Sequence, residues 1–130
     1  MSTPLIAVVF DHTALLALGS GNRRVSALVS QAHLQVGRYV YAPALCLVAA
    51  ISQRPGLATH MGVLPTVEII DLDYVASATV GALIAEGVDW EVAQAVDAGR
   101  PTAEWPTGRP VVTAGPRPYA GLGVEIIPIN

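Results

Sequence analysis

The chain has 130 residues, the length of one domain, and it is 52% hydrophobic and 13% charged. These values exclude a disordered tail and a two-domain enzyme with a separate cofactor module. All seven basic residues are arginine, set against five Asp and five Glu for a formal charge of −3, which excludes a global positive field holding a nucleic acid backbone. Any RNA contact has to be local. The longest apolar run, Tyr39 to Ile51, has 13 residues and contains Pro43, whereas a membrane-spanning helix needs about 20. Met1 to Phe10 carry no Lys or Arg, so a secretory signal is not expected and the cytoplasm is the expected compartment. The one cysteine, Cys46, has no partner for a disulfide or a thiolate metal site and is expected as a small buried residue.

In chain order, Leu5 to Phe10 is a continuous apolar run of strand length, which predicts a strand buried on both faces. Asp11-His12-Thr13 follows, then a helix-favouring stretch from Ala14 to Leu18 closed by Gly19 and Gly21. Asn22 is placed to cap a helix over Arg23 to Gln35. Pro43 leads a third helix, Ala44 to Gln53, stopped by Pro55-Gly56, and a short helix is predicted from Leu57 to Leu64. Thr66 to Leu72 predicts a second strand, and Asp73 caps a helix from Tyr74 to about Glu86. Asp89 precedes a helix from Trp90 to Ala98, closed by Gly99. Pro101 to Gly108 predicts an exposed loop carrying Trp105, and Val111-Val112-Thr113 a short central strand. A second loop, Ala114 to Gly123, carries Tyr119, and Val124 to Ile129 is the last strand.

Apolar strands alternating with helices predict an α/β fold: one domain over 1–130, an α/β/α sandwich around a mainly parallel sheet. Ligands of such sheets collect beyond the carboxyl ends of the strands, where the strand order reverses. Asp11 follows the first strand and Thr113 ends another, so both are candidates for one shared cleft.

Val9-Phe10-Asp11-His12-Thr13-Ala14-Leu15-Leu16-Ala17-Leu18 resembles the opening strand, acid and hydroxyl signature of PIN domains. Pro43 to Ala49 is similar to that family's proline-led helix, Asp89 to Ala95 to its acid-headed helix, and Val111 to Gly115 to its strand ending in Thr-x-Asp. The resemblance implies a PIN-like domain related to the Mg²⁺- or Mn²⁺-dependent ribonuclease toxins of toxin–antitoxin pairs. It implies RNA and an antitoxin-like protein as partners. A hard cation held by clustered carboxylates would activate water and stabilise the charge developing on phosphate. The first acid falls on Asp11 and the third on Asp89, with Thr113 in the last motif. The second acid falls on Ala49 and the fourth on Gly115, neither of which has a carboxylate. Glu86, Glu91 and Glu104 lie near enough in sequence to substitute, Glu86 best among them. The site is therefore read as degenerate, with weak or no nuclease activity and a role in binding. An active endoribonuclease using Asp11 and Asp89, with Glu86 as a further metal ligand, is the alternative. A third reading is a homodimeric interaction module, which the low charge and high hydropathy would allow.

Each of these residues also has a simpler structural role. Asp11 and Asp89 each stand where a helix cap is expected, and Thr113 is a β-favouring residue. His12, His33 and His60 have no mutual ligand spacing. Gly19-Ser20-Gly21 lacks the lysine of a phosphate loop and reads as a turn. Arg23, Arg24, Arg38, Arg54 and Arg117 are candidates for phosphate contacts or solvated surface residues. Trp105 and Tyr119 are candidates for stacking on a base if exposed.

Overall fold

The computed structural model describes residues 6–129. Five strands and six helices are built: β1 (Ile6–Phe10), α1 (His12–Gly19), α2 (Arg23–Leu34), β2 (Arg38–Pro43), α3 (Ala44–Gln53), α4 (Leu57–Gly62), β3 (Val67–Ile70), α5 (Tyr74–Ala85), α6 (Trp90–Gly99), β4 (Val111–Thr113) and β5 (Ile126–Pro128). A 3-10 turn spans Arg117–Tyr119. The expected Leu5, at the start of the first strand, lies outside the described residues.

The strands form one sheet in the order β3-β2-β1-β4-β5, every pair parallel. Helices flank it, giving the α/β/α sandwich expected from the alternation of apolar strands and helices. β-branched residues meet across the ladder, with Val8 opposite Val40, Val40 opposite Val67, Val9 opposite Val111 and Val111 opposite Ile126. Four of the five β1 residues are buried because this strand is paired on both sides and covered on both faces.

Two expectations are corrected. The strand over Arg38–Pro43 was not expected, because an arginine opens it, two half-buried tyrosines alternate along it and a proline closes it. Pro43 ends this strand and starts α3 in an extended conformation, which a residue with fixed φ and no amide donor can do. The centre of the sheet is β1; Val111-Val112-Thr113 lies between β1 and the edge strand β5.

Three caps form as the sequence suggests. The side chains of Asp11, Asn22 and Asp73 accept the amides of Ala14, Val25 and Ala76 at the starts of α1, α2 and α5. Asp89 stands at the cap position of α6 but makes no such bond. Polar ties reinforce the layers. Buried Gln94 of α6 accepts from the Leu45 amide (2.8 Å) and donates to the Ile70 carbonyl (3.1 Å), joining α6 to the start of α3 and the end of β3.

Candidate functional site

The chain leaves β1 for β2 and β3 on one side and returns to β4 and β5 on the other, so the strand order reverses between β1 and β4. Asp11, directly after β1, and Thr113, the last residue of β4, straddle that point, where open α/β sheets bind ligands. The structure brings them together through Thr13. The Thr13 hydroxyl donates to Asp11 Oδ1 (2.6 Å), which also accepts the Ala14 amide (3.0 Å). With its one proton on Asp11, Thr13 Oγ1 accepts from the Thr113 hydroxyl (3.2 Å) and from the Ala114 amide (2.8 Å). Thr113 Oγ1 in turn accepts the Gly115 amide (3.0 Å). The other carboxylate oxygen of Asp11, Oδ2, accepts the Tyr119 hydroxyl at 2.7 Å.

Asp11 is 0% exposed and Tyr119 2%. The buried carboxylate thus receives two hydroxyls and one amide, all from the protein, which is how a buried anion is stabilised without solvent. The partners are held uncharged in response. Burial, followed by the charge of Asp11 and the hydrogen bond to it, pushes the Tyr119 phenol far above its ordinary range. Burial and then the Asp11 charge likewise push the Cys46 thiol up. That thiol lies 3.4 Å from the Glu91 carbonyl. Tyr119, expected in a loop and a candidate for base stacking if exposed, is buried, with its hydroxyl donating to Asp11 Oδ2.

The other expected acids are placed differently. Asp89 and Glu86 are exposed, Glu86 as the C-cap of α5. Ala49, where the resemblance expects a carboxylate, is buried one turn after Cys46 in α3. Gly115 has open space where a side chain would project. A Mg²⁺ or Mn²⁺ ion takes oxygen ligands that can face it directly, with several waters retained. Asp11 has no exposed surface and both of its oxygens accept protein donors, so the residues present do not fit such an ion. Among the described residues, no group of three or more His, Cys, Asp and Glu is arranged to hold a metal.

Neither a family model nor a curated protein matches this chain.

Sequence reasoning missed one pair. His12 Nε2 lies 3.3 Å from Glu91 Oε2, joining the start of α1 to α6, while His12 Nδ1 is buried without a hydrogen-bond partner. The two residues are 79 positions apart in sequence, and no local pattern links them.

Some of the candidate RNA contacts are engaged within the fold, while Arg23 and Arg117 are exposed. Arg54 donates to the Leu16 carbonyl (3.1 Å) and the Ser20 hydroxyl (2.9 Å) at the end of α1, and Arg24 to the Pro128 carbonyl (2.9 Å). Trp105 is half-buried, edge-on to Tyr39 and Tyr41 of β2. The Arg109 guanidinium lies 4.7 Å from the Tyr41 ring centre and 5.7 Å from that of Trp105. Its Nε donates to the Ala98 carbonyl (2.9 Å). Trp105 is thus a clamp on the sheet, contrary to the expected exposed aromatic.

One surface groove is apolar. Val29, His33 and Leu34 of α2 face Val63, Leu64 and Pro65 across a volume of about 330 Å³. A neighbouring hollow of about 340 Å³ shares Val29 and Leu64 and extends to Leu18 and His60. No helix among the described residues is long and apolar enough to cross a membrane.

Proposed function

We propose that this chain is a PIN-like domain, related to the metal-dependent ribonuclease toxins of toxin–antitoxin pairs, that has lost its metal site and works by binding in the cytoplasm. The observation carrying this reading is the Asp11 carboxylate, buried at the switch point of the sheet with Tyr119 on one oxygen and Thr13 on the other. A catalytic carboxylate has to face its ion; this one faces a phenol. The groove between α2 and the segment after α4 supplies a binding surface suited to an antitoxin-like segment with apolar anchors, since Val29, Leu34, Val63, Leu64 and Pro65 line it, with Ser30, His33 and Thr66 as its polar groups.

The test is calorimetric titration of Mn²⁺ into the wild type and Asp11→Asn at neutral pH and low salt, with cleavage of a mixed RNA pool alongside. No saturable binding and no cleavage are expected. Saturable binding abolished by the substitution would overturn the reading. It would restore the active endoribonuclease that uses Asp11 and Asp89, with Glu86 beside them and Thr113 in the cleft.

A further inference from the structure

The two edges of the sheet are built differently. At β5, Pro128 has no amide to donate and its carbonyl accepts Arg24 Nη1 (2.9 Å); proline is an ordinary guard of a strand edge. At the other edge β3 pairs with β2 alone, and its sequence, Val-Glu-Ile-Ile, has no proline, glycine or lysine. Backbone groups of successive strand residues point alternately to the two sides. The Val67 amide bonds the Leu64 carbonyl (3.2 Å), away from β2. The Val67 carbonyl and both backbone groups of Ile69 therefore face the open edge, where they have no partner among the described residues. The Ile69 side chain beside them is 44% exposed.

Charge around this edge has one sign. Between Arg54 and Arg100 the chain has no Arg or Lys and carries seven of its ten acids. Exposed Glu68 stands on β3 itself, and exposed Asp71 and Asp73 follow it. Glu68 shares a face of the sheet with its ladder partner Tyr41. Burial and then the Glu68 charge push the Tyr41 phenol up, against the opposing pull of Arg109. The neighbouring cations are committed elsewhere: Arg109 Nε donates to the Ala98 carbonyl and Arg100 Nε to the Leu122 carbonyl, each at 2.9 Å. Among the described residues no arginine forms an ion pair with a carboxylate.

We infer that the open edge of β3 takes an extended basic segment of another protein as an added strand. Main-chain bonds to Val67 and Ile69 hold the segment, and its alternate side chains read the two faces of the sheet. Arg or Lys falls on the side of Glu68 and Tyr41, and Val or Ile on the side of Ile69. Charge selects this occupant. An RNA strand would bring its phosphates against Glu68, Asp71 and Asp73. A second copy pairing edge to edge would set the same acids of two chains together, a like-charge contact that destabilises strand pairing. The edge is separate from the Asp11 site and from the groove beside α2, so this inference survives the failure of the reading proposed above.

Fluorescence anisotropy on the full chain tests it, with a labelled synthetic peptide alternating Arg and Val as the probe. One control peptide alternates Glu and Val. Another is the Arg–Val peptide methylated at every backbone nitrogen, which keeps its charge and loses its strand hydrogen bonds. The protein variants are Glu68→Arg, the milder Glu68→Gln, and Glu125→Arg, which makes the same charge change beside the guarded edge; circular dichroism checks each fold. Saturable binding of the Arg–Val peptide is expected at low salt, weakened by added salt, with none for the Glu–Val peptide. Glu68→Arg and backbone methylation should each weaken it about tenfold. Glu68→Gln should weaken it less, and Glu125→Arg should leave it within about twofold of wild type. Should Glu68→Arg fail to fold, Glu68→Gln and the methylated peptide still decide. No saturable binding of the Arg–Val peptide would overturn the inference. So would equal binding of the methylated peptide, which reduces the contact to net charge, or an equal loss from Glu125→Arg and Glu68→Arg.

Discussion

Tyr119→Phe removes a single oxygen from the candidate site and leaves the ring that fills its place. That oxygen is the donor to Asp11 Oδ2 at 2.7 Å, and both residues are buried. A hydrogen bond to a charged group contributes about 1.5–3 kcal/mol, and the buried acceptor left behind keeps its desolvation penalty. Y119F should therefore lose about 2 kcal/mol of stability, a fall in Tm of about 5–10 °C for a domain of this size. Differential scanning calorimetry at neutral pH measures it. The same pair predicts an alkaline signature. The folded phenol is held protonated far above its ordinary range by burial and by Asp11, while tyrosine in the unfolded chain ionises near pH 10. Below that pH both states carry the proton and the contribution is fully present. Above it the unfolded chain binds fewer protons than the folded one, so wild type loses about 1.4 kcal/mol per pH unit relative to Y119F. The two proteins should become equally stable at about pH 11–12. Cys46 titrates in both and cancels from the difference. A neutral-pH loss under about 2 °C, or a gap that stays constant from pH 9 to pH 12, would refute the view that this hydroxyl seals the carboxylate.

Gln94→Leu should cost about 2–3 kcal/mol in urea unfolding, because it orphans the Leu45 amide and the Ile70 carbonyl together. Cys46, buried and with its thiol pushed up by burial and by Asp11, should react with a thiol reagent at neutral pH only at the rate of unfolding; rapid labelling of the folded protein would contradict its placement. Arg109→Ala should destabilise by about 1–3 kcal/mol and shift Trp105 emission to the red, since the guanidinium contacts both Tyr41 and Trp105 and binds the Ala98 carbonyl. Gly108→Ala should cost at least about 2 kcal/mol by calorimetry, as φ there is +78° and an added Cβ would lie 2.5 Å from the Gly99 carbonyl oxygen.

What the sequence made legible was local. Asp11, Asn22 and Asp73 read as caps because a carboxylate or amide two or three residues before its target needs no knowledge of the rest of the chain, and α3 was readable from Pro43 to Pro55 on the same grounds. β2 was hidden because Tyr39, Val40 and Tyr41 run without a break into the apolar residues of α3, and the expected boundary signal, Pro43, belongs to both elements. The candidate site divided the same way. Asp11 and Thr113 could be assigned to one cleft from strand ends alone. That Tyr119 fills it, or that His12 meets Glu91, depends on contacts spanning 108 and 79 positions, for which neither residue carries a local mark. Asp89 shows the converse error: its position before α6 matches a cap, but its side chain makes no capping bond.

The placement of β1 at the middle of the sheet also orders events in time. On the ribosome, β1 can pair with β2 as soon as that strand emerges, yet its other edge waits for β4, whose partner residue for Val9 is Val111. Until then one side of the hydrogen-bonding ladder is open, and Asp11 remains a hydrated surface carboxylate. Only when Tyr119 has cleared the exit tunnel does that carboxylate lose its water. A nascent chain stalled before residue 111 would thus expose a bare parallel strand edge and an ionised acid together. That intermediate would be prone to pairing with other chains and recognisable to a chaperone, whereas in the finished domain the same edge of β1 is paired with β4 and Asp11 is buried.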